Sequence, residues 1–149
     1  MPAPLLNHRD LEFMLYELFD AEGMTTRERY ADHSKETFNA AIDTAKTVAE
    51  KFFLPIRQKV DTHQPTFDGK NVHMIPEIKP AVDAVIDSGL MSPSADYELG
   101  GMQLPGIVAN VASAYLGAAG STTLGYTGLT NANANLITAH GTEEQIKRW

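Results

Sequence analysis

In the stretch Phe38, Ile42, Ala45, Val48, Phe52, Ile56 and Val60, apolar residues recur at spacings of three and four, with charged residues mostly between them. That spacing places them on one face of a helix and leaves the other face polar, the pattern of a helix packed on a core. Ser34 is suited to cap its start, because a Ser oxygen can accept an otherwise orphaned backbone N–H. Pro55 sits inside the pattern, lacks an N–H and crowds the preceding turn, so the helix should end or kink near Leu54.

The same period recurs on both sides. Leu11, Met14, Leu15, Leu18 and Phe19 form an apolar stripe within 9–19, followed by a polar passage at 20–33 that reads as a loop around Gly23. After a loop at 62–74, Pro76 is placed to open a helix with Ile78, Val82, Val85 and Ile86 on its buried face, and Gly89 to end it. A loop follows at 91–104. Pro105 should open a helix containing Val108, Val111, Ala112, Tyr115 and Leu116, broken at Gly120-Ser121, before a last long helix at about 122–139 that stops at Gly141. Thr142-Glu143-Glu144-Gln145 has the capping-box pattern of a further helix. Strand alternation and a fixed repeat are both lacking, so the expected architecture is an all-α bundle. The Ala- and Gly-rich composition of the last two long helices favours close backbone packing. An open channel beside them is the other reading.

Composition narrows the function. The 149 residues suffice for one domain with a core. A net charge of −7 argues against non-specific nucleic-acid binding, which needs Lys and Arg to neutralise phosphates. The chain has no cysteine and hence no disulfide or thiolate chemistry. The start, Met1-Pro2-Ala3-Pro4, lacks the basic and apolar regions of a secretory signal. The weakly polar run 107–129 is interrupted by glycines and hydroxyl residues and does not read as a membrane span. A cytoplasmic location is expected.

Site chemistry is sparse. No phosphate-cradling glycine loop or nucleophile elbow is present. His8, His33, His63, His73 and His140 lack the i, i+4 spacing of helical metal ligands and read as solvated, so no metal is expected. Asp96 and Glu98 could in principle act as an acid–base pair, although such pairs arise often in an acidic chain. Asn131 and Asn135 should share a helix face from which Asn133 points away, and these read as a polar flank. Tyr30, Tyr97 and Tyr126 have no neighbouring base, and packing is their default role.

Several segments carry a resemblance. Phe52-Phe53-Leu54-Pro55 with Asp61, Ser88-Gly89-Leu90-Met91 leading to Tyr97-Glu98-Leu99-Gly100-Gly101-Met102-Gln103-Leu104-Pro105, and His140 to Trp149 together resemble the amino-terminal helical domain of the acyl-CoA dehydrogenase family. Gln103 stands where that family often has a third Gly, and Leu90 where it often has Trp. Leu6 to Phe19 is similar to the extra amino-terminal segment of the larger members, those resembling 3-methylmercaptopropionyl-CoA dehydrogenase.

The resemblance implies a division at 1–33 (extension helix and loop) and 34–149 (helical domain), with the middle β domain and carboxy-terminal helical domain lying beyond the chain. It implies an enzyme that removes two hydrogens from an acyl-CoA thioester, a carboxylate taking the α proton and FAD the β hydride. The catalytic Glu and most FAD contacts belong to the other domains. No catalytic residue is therefore assigned here, and the chain alone is expected to be inactive and to bind no flavin. By register from the Gly-Thr-Glu-Glu-Gln turn, Leu124, Gly125, Gly128 and Ala132 would bind substrate as one wall of the acyl cavity. Electron-transfer flavoprotein and a homo-oligomeric state are implied on the same ground. The newly capped helix near Trp149 has few residues after its cap, which suggests a fragment. The competing reading is a stand-alone helical interaction or scaffold module without catalysis.

Overall fold

Ser34 starts the central helix as its chemistry demands. Its Oγ accepts the Thr37 N–H at 3.3 Å while its own N–H donates to Thr37 Oγ1 at 2.9 Å, closing a reciprocal cap. Helix α2 (Lys35–Val48) then buries Phe38, Ala41, Ile42, Ala45 and Val48. The structure, a computed structural model, describes residues 5–148. The Met1-Pro2-Ala3-Pro4 start and Trp149 lie outside the described residues.

The helical face does not continue as the spacing predicts. A π-helical turn (Ala49–Phe53) follows α2, and the Leu54 N–H bonds to the Ala49 carbonyl five residues back. A 3₁₀ turn (Leu54–Ile56) holding Pro55 comes next, then α3 (Arg57–Thr62). The wider turn absorbs a proline that has no N–H for the Lys51 carbonyl and would crowd it. It also advances the register by one residue. Phe53 is fully buried, whereas Phe52, expected inside, is 39% exposed.

A similar change corrects the first apolar stripe. Helix α1 (His8–Glu12) passes into a π-helical segment (Phe13–Leu18), and only Leu15 of the stripe is fully buried. Leu11 is half-buried, while Met14, Leu18 and Phe19 are exposed, so only the side of the segment carrying Leu11, Leu15 and Tyr16 meets the core. Tyr16 ties it there, its hydroxyl donating to Asn39 Oδ1 at 2.6 Å. Burial pushes the Tyr16 phenol up to about 12. The passage expected as a loop at 20–33 contains 3₁₀ turns at Ala21–Thr26 and Glu28–Tyr30.

The loop at 62–74 holds a small antiparallel hairpin, β1 (Thr66–Phe67) and β2 (Val72–His73), with Thr66 opposite His73 and Phe67 opposite Val72. Strands this short leave no alternation to read. Helix α4 (Ile78–Asp87) opens two residues later than Pro76 suggests, and Pro80 occupies its first turn. Its buried face uses Ala81 beside Ile78 and Val85, and Ile86 is exposed. Gly89, at φ +74, donates to the Ile86 carbonyl at 3.0 Å, and Leu90 to that of Val85 at 3.1 Å. This pair of hydrogen bonds is the left-handed helix stop for which glycine is suited, and Leu90 and Val85 join the same core.

Helix α5 (Gly106–His140) is bent at Gly120, whose backbone is non-helical, so the break expected there is a bend between two helical arms. The first arm buries Val108, Ala112, Tyr115 and Leu116 against α2. Thr142 and Gln145 cap α6 (Glu143–Arg148) reciprocally, at 2.8 and 3.2 Å. The fold is all-α apart from the hairpin, and no described helix is long and apolar enough to cross a membrane.

Candidate functional site

The bend at Gly120 creates the cavity. Residues 109 and 131 would lie about 33 Å apart on a straight helix rising about 1.5 Å per residue. Both nevertheless line one cavity of about 390 Å³ between the two arms of α5 and the 90–95 segment. Leu90, Ala112, Leu116 and Leu124 supply its apolar part, and Ser92, Asn110, Ser113, Thr127, Asn131 and Asn135 its polar part. Among the described residues the lining has no charged and no aromatic side chain.

The loop at 91–104 closes one side, and its backbone chemistry is explicit. Gly100 lies at φ +78, and a Cβ on Gly101 would fall far inside contact with the Ala95 carbonyl. Gln103 takes φ +52, the left-handed region a glycine would occupy without strain. The bonds that hold this shape are Gly101 N–H to Asp96 O at 3.0 Å, Gln103 N–H to Ala95 O at 2.9 Å and Leu104 N–H to Pro93 O at 2.9 Å.

Of the residues expected to face substrate, Leu124 and Gly128 line the cavity. A Cβ on Gly128 would meet nothing within 4 Å. Gly125 and Ala132 lie on the same arm but outside the lining, and both are exposed. Asn131 and Asn135 do share the cavity face while Asn133 does not, and Asn131 Oδ1 accepts the Ser92 hydroxyl at 3.0 Å. Sequence reasoning missed Thr127 and the whole loop side, which come together only through the bend.

The other candidates are occupied elsewhere. Asp96 pairs with Arg29 Nη1 at 2.6 Å rather than with Glu98. His33 Nε2 lies 3.2 Å from the Tyr97 hydroxyl, and its ring stacks obliquely on Phe38, so it is a contact residue rather than merely solvated. His73 Nε2 sits 2.6 Å from Asp68 Oδ2, and His63 bonds within its own helix end. His8 lies 3.8 Å from Glu12. Among the described residues no cluster of three metal-ligating side chains occurs.

A second hollow of about 430 Å³ lies at the bend, lined by exposed Arg57, Asp61, Ser121 and Thr122 and by buried Thr123. Thr123 Oγ1 is buried without a hydrogen-bond partner among the described residues. A helical Thr ordinarily bonds the carbonyl three or four residues back, and here those carbonyls belong to Ala119 and Gly120 at the bend.

These features define an all-α domain whose bent last long helix and glycine-turned loop enclose an uncharged cavity. A family model for the acyl-CoA dehydrogenase N-terminal domain matches residues 35–149, and the chain belongs to that family. No curated protein matches it.

Proposed function

We propose that the chain serves as the amino-terminal helical part of a flavin-dependent acyl-CoA dehydrogenase and forms one wall of its acyl pocket. The observation that carries this reading is the charge-free cavity beside Leu124 and Gly128. An acyl chain gains roughly 0.8 kcal/mol per buried CH₂, and a wall without charges spares it the large penalty of desolvating an ion, leaving only the smaller cost of covering neutral hydroxyl and amide groups. Gly125 and Ala132, exposed on the same arm, would meet the acyl group from the outer side of the helix or face the domains that complete the enzyme.

The lining of this cavity does not fit a flavin. It offers no aromatic face to stack on the ring system, and its one glycine, Gly128, lies within a helix rather than in a loop that could cradle a pyrophosphate. In a complete enzyme the flavin and the chemistry it supplies would therefore be held by other residues than those lining this cavity. The residues here bind, orient and exclude water. Membership of the larger 3-methylmercaptopropionyl-CoA dehydrogenase-like type, a homo-oligomeric state, electron transfer to electron-transfer flavoprotein and a cytoplasmic location belong to the same proposal. Support for the larger type is that residues 8–30 form helical turns ahead of the family match, tied to α2 through Tyr16 and to the 93–96 turn through Arg29.

Gly128→Leu tests the reading in the flavoprotein that carries this domain. It should shift preference toward shorter acyl thioesters; an unchanged chain-length profile refutes it. The alternative, a helical interaction module, draws on the second arm of α5, where Leu129 is 83% exposed. A purified intact protein without flavin would favour that alternative.

A further inference from the structure

The geometry points to Arg29 as a positioning residue that sets the width of the cavity by clasping the 93–96 turn from outside. The functional part of the inference rests on the acyl-wall reading, and the clasp on geometry alone. The Arg29 guanidinium makes two contacts at once. Nη2 donates to the Ser94 carbonyl at 3.1 Å, and Nη1 pairs with Asp96 Oδ1 at 2.6 Å. The residue between those anchors, Ala95, lines the cavity, as does Ser94 itself.

The clasp is closed through Gln103. Its side-chain amide donates to the Arg29 carbonyl at 2.6 Å, while its backbone N–H donates to the Ala95 carbonyl at 2.9 Å. Arg29 therefore grips the loop through its side chain and is gripped in turn through its backbone. This gives the non-glycine residue at position 103 a use that glycine could not provide, since only a side chain can span from φ +52 to Arg29. On the inner edge the same loop is tied to α5 by the Ser92 hydroxyl and Asn131. The turn is thus strung between the 28–30 segment and the cavity's far wall. Releasing the outer tether lets the turn shift relative to Thr127 and Asn131. A planar guanidinium holds two acceptors in fixed relation, which a point-charge ammonium does less well.

The Arg29 and Asp96 side chains are each nearly half exposed, so the pair contributes little to global stability and its loss should leave the fold intact. Arg29→Gln in this chain should speed hydrogen exchange of the Ala95, Gly101 and Gln103 amides about fivefold, with α2 and the first arm of α5 unchanged. In the flavoprotein carrying the domain, the same substitution should alter the KM ratio between long and short acyl thioesters with little change in kcat. Arg29→Lys, which keeps the charge but loses the two-armed fork, should restore only part of both effects. Unchanged loop exchange in Arg29→Gln overturns the clasp. Faster exchange with an unaltered KM ratio overturns the positioning role, provided Gly128→Leu shifts the profile in parallel. If neither variant shifts it, the acyl-wall reading fails together with the inference.

Discussion

Replacing Phe53 and Phe52 by alanine, one at a time, tests whether the π-helical turn sets the register of the core. Phe53 is fully buried and packs beside the bend, where a Cβ on Gly120 would lie 3.6 Å from its Cδ1. Truncating a buried Phe removes its transfer free energy and leaves a cavity, together about 3–5 kcal/mol. For a domain of this size each kcal/mol corresponds to roughly 2–4 °C in Tm, so Phe53→Ala should melt about 6–20 °C lower. Phe52 keeps 39% of its surface in water and leaves no enclosed void when shortened. Its replacement should cost about 1 kcal/mol or less. Urea unfolding of both variants, with m compared to the parent, separates a stability change from a change in the unfolded state. A Phe52→Ala loss equal to or larger than that of Phe53→Ala would mean that the α-helical register runs through to Pro55, and the account of the turn would be wrong.

Other expectations follow from the loop and the hairpin. Gly100→Ala meets open space but must hold φ +78, at about 1–2 kcal/mol. Gly101→Ala forces the Ala95 backbone to move and should be the more damaging in chemical denaturation; the reverse order would contradict the loop geometry. Asp68 accepts the Asn71 and Lys70 N–H groups and faces His73, with the Asn71 bond the largest cause, and its carboxyl is held down at about 2 against an ordinary 3.8. A lowered folded pKa favours the fold above the unfolded value, so this contribution is present above about pH 4 and lost as pH falls toward about 2. An NMR titration of Asp68 with its midpoint near 4 would contradict it. Ser34→Ala removes one half of the α2 cap and should cost about 1 kcal/mol in thermal or urea unfolding, and no loss would mean that the cap is idle.

What the amino-acid sequence determined on its own is local. Ser34, Pro55, Gly89, the Gly120 break and the Thr142–Gln145 cap act through bonds within a few residues, so their effects are legible from spacing and residue chemistry. The apolar face from Phe38 to Val48 is equally legible, since an unbroken α-helix carries its period forward. At Phe52 that legibility ends: one wider turn rotates everything after it, and the choice between two adjacent phenylalanines is made by what packs against them. The site divides in the same way. Leu124 and Gly128 can be placed on one arm of a helix from register, but the cavity they line requires the other arm, the 90–95 segment and the bend that opposes them. Arg29 and Ser94 are separated by 65 positions, and no periodicity connects them. Only chain folding brings such groups within hydrogen-bond distance, because their contact depends on how every intervening helix packs.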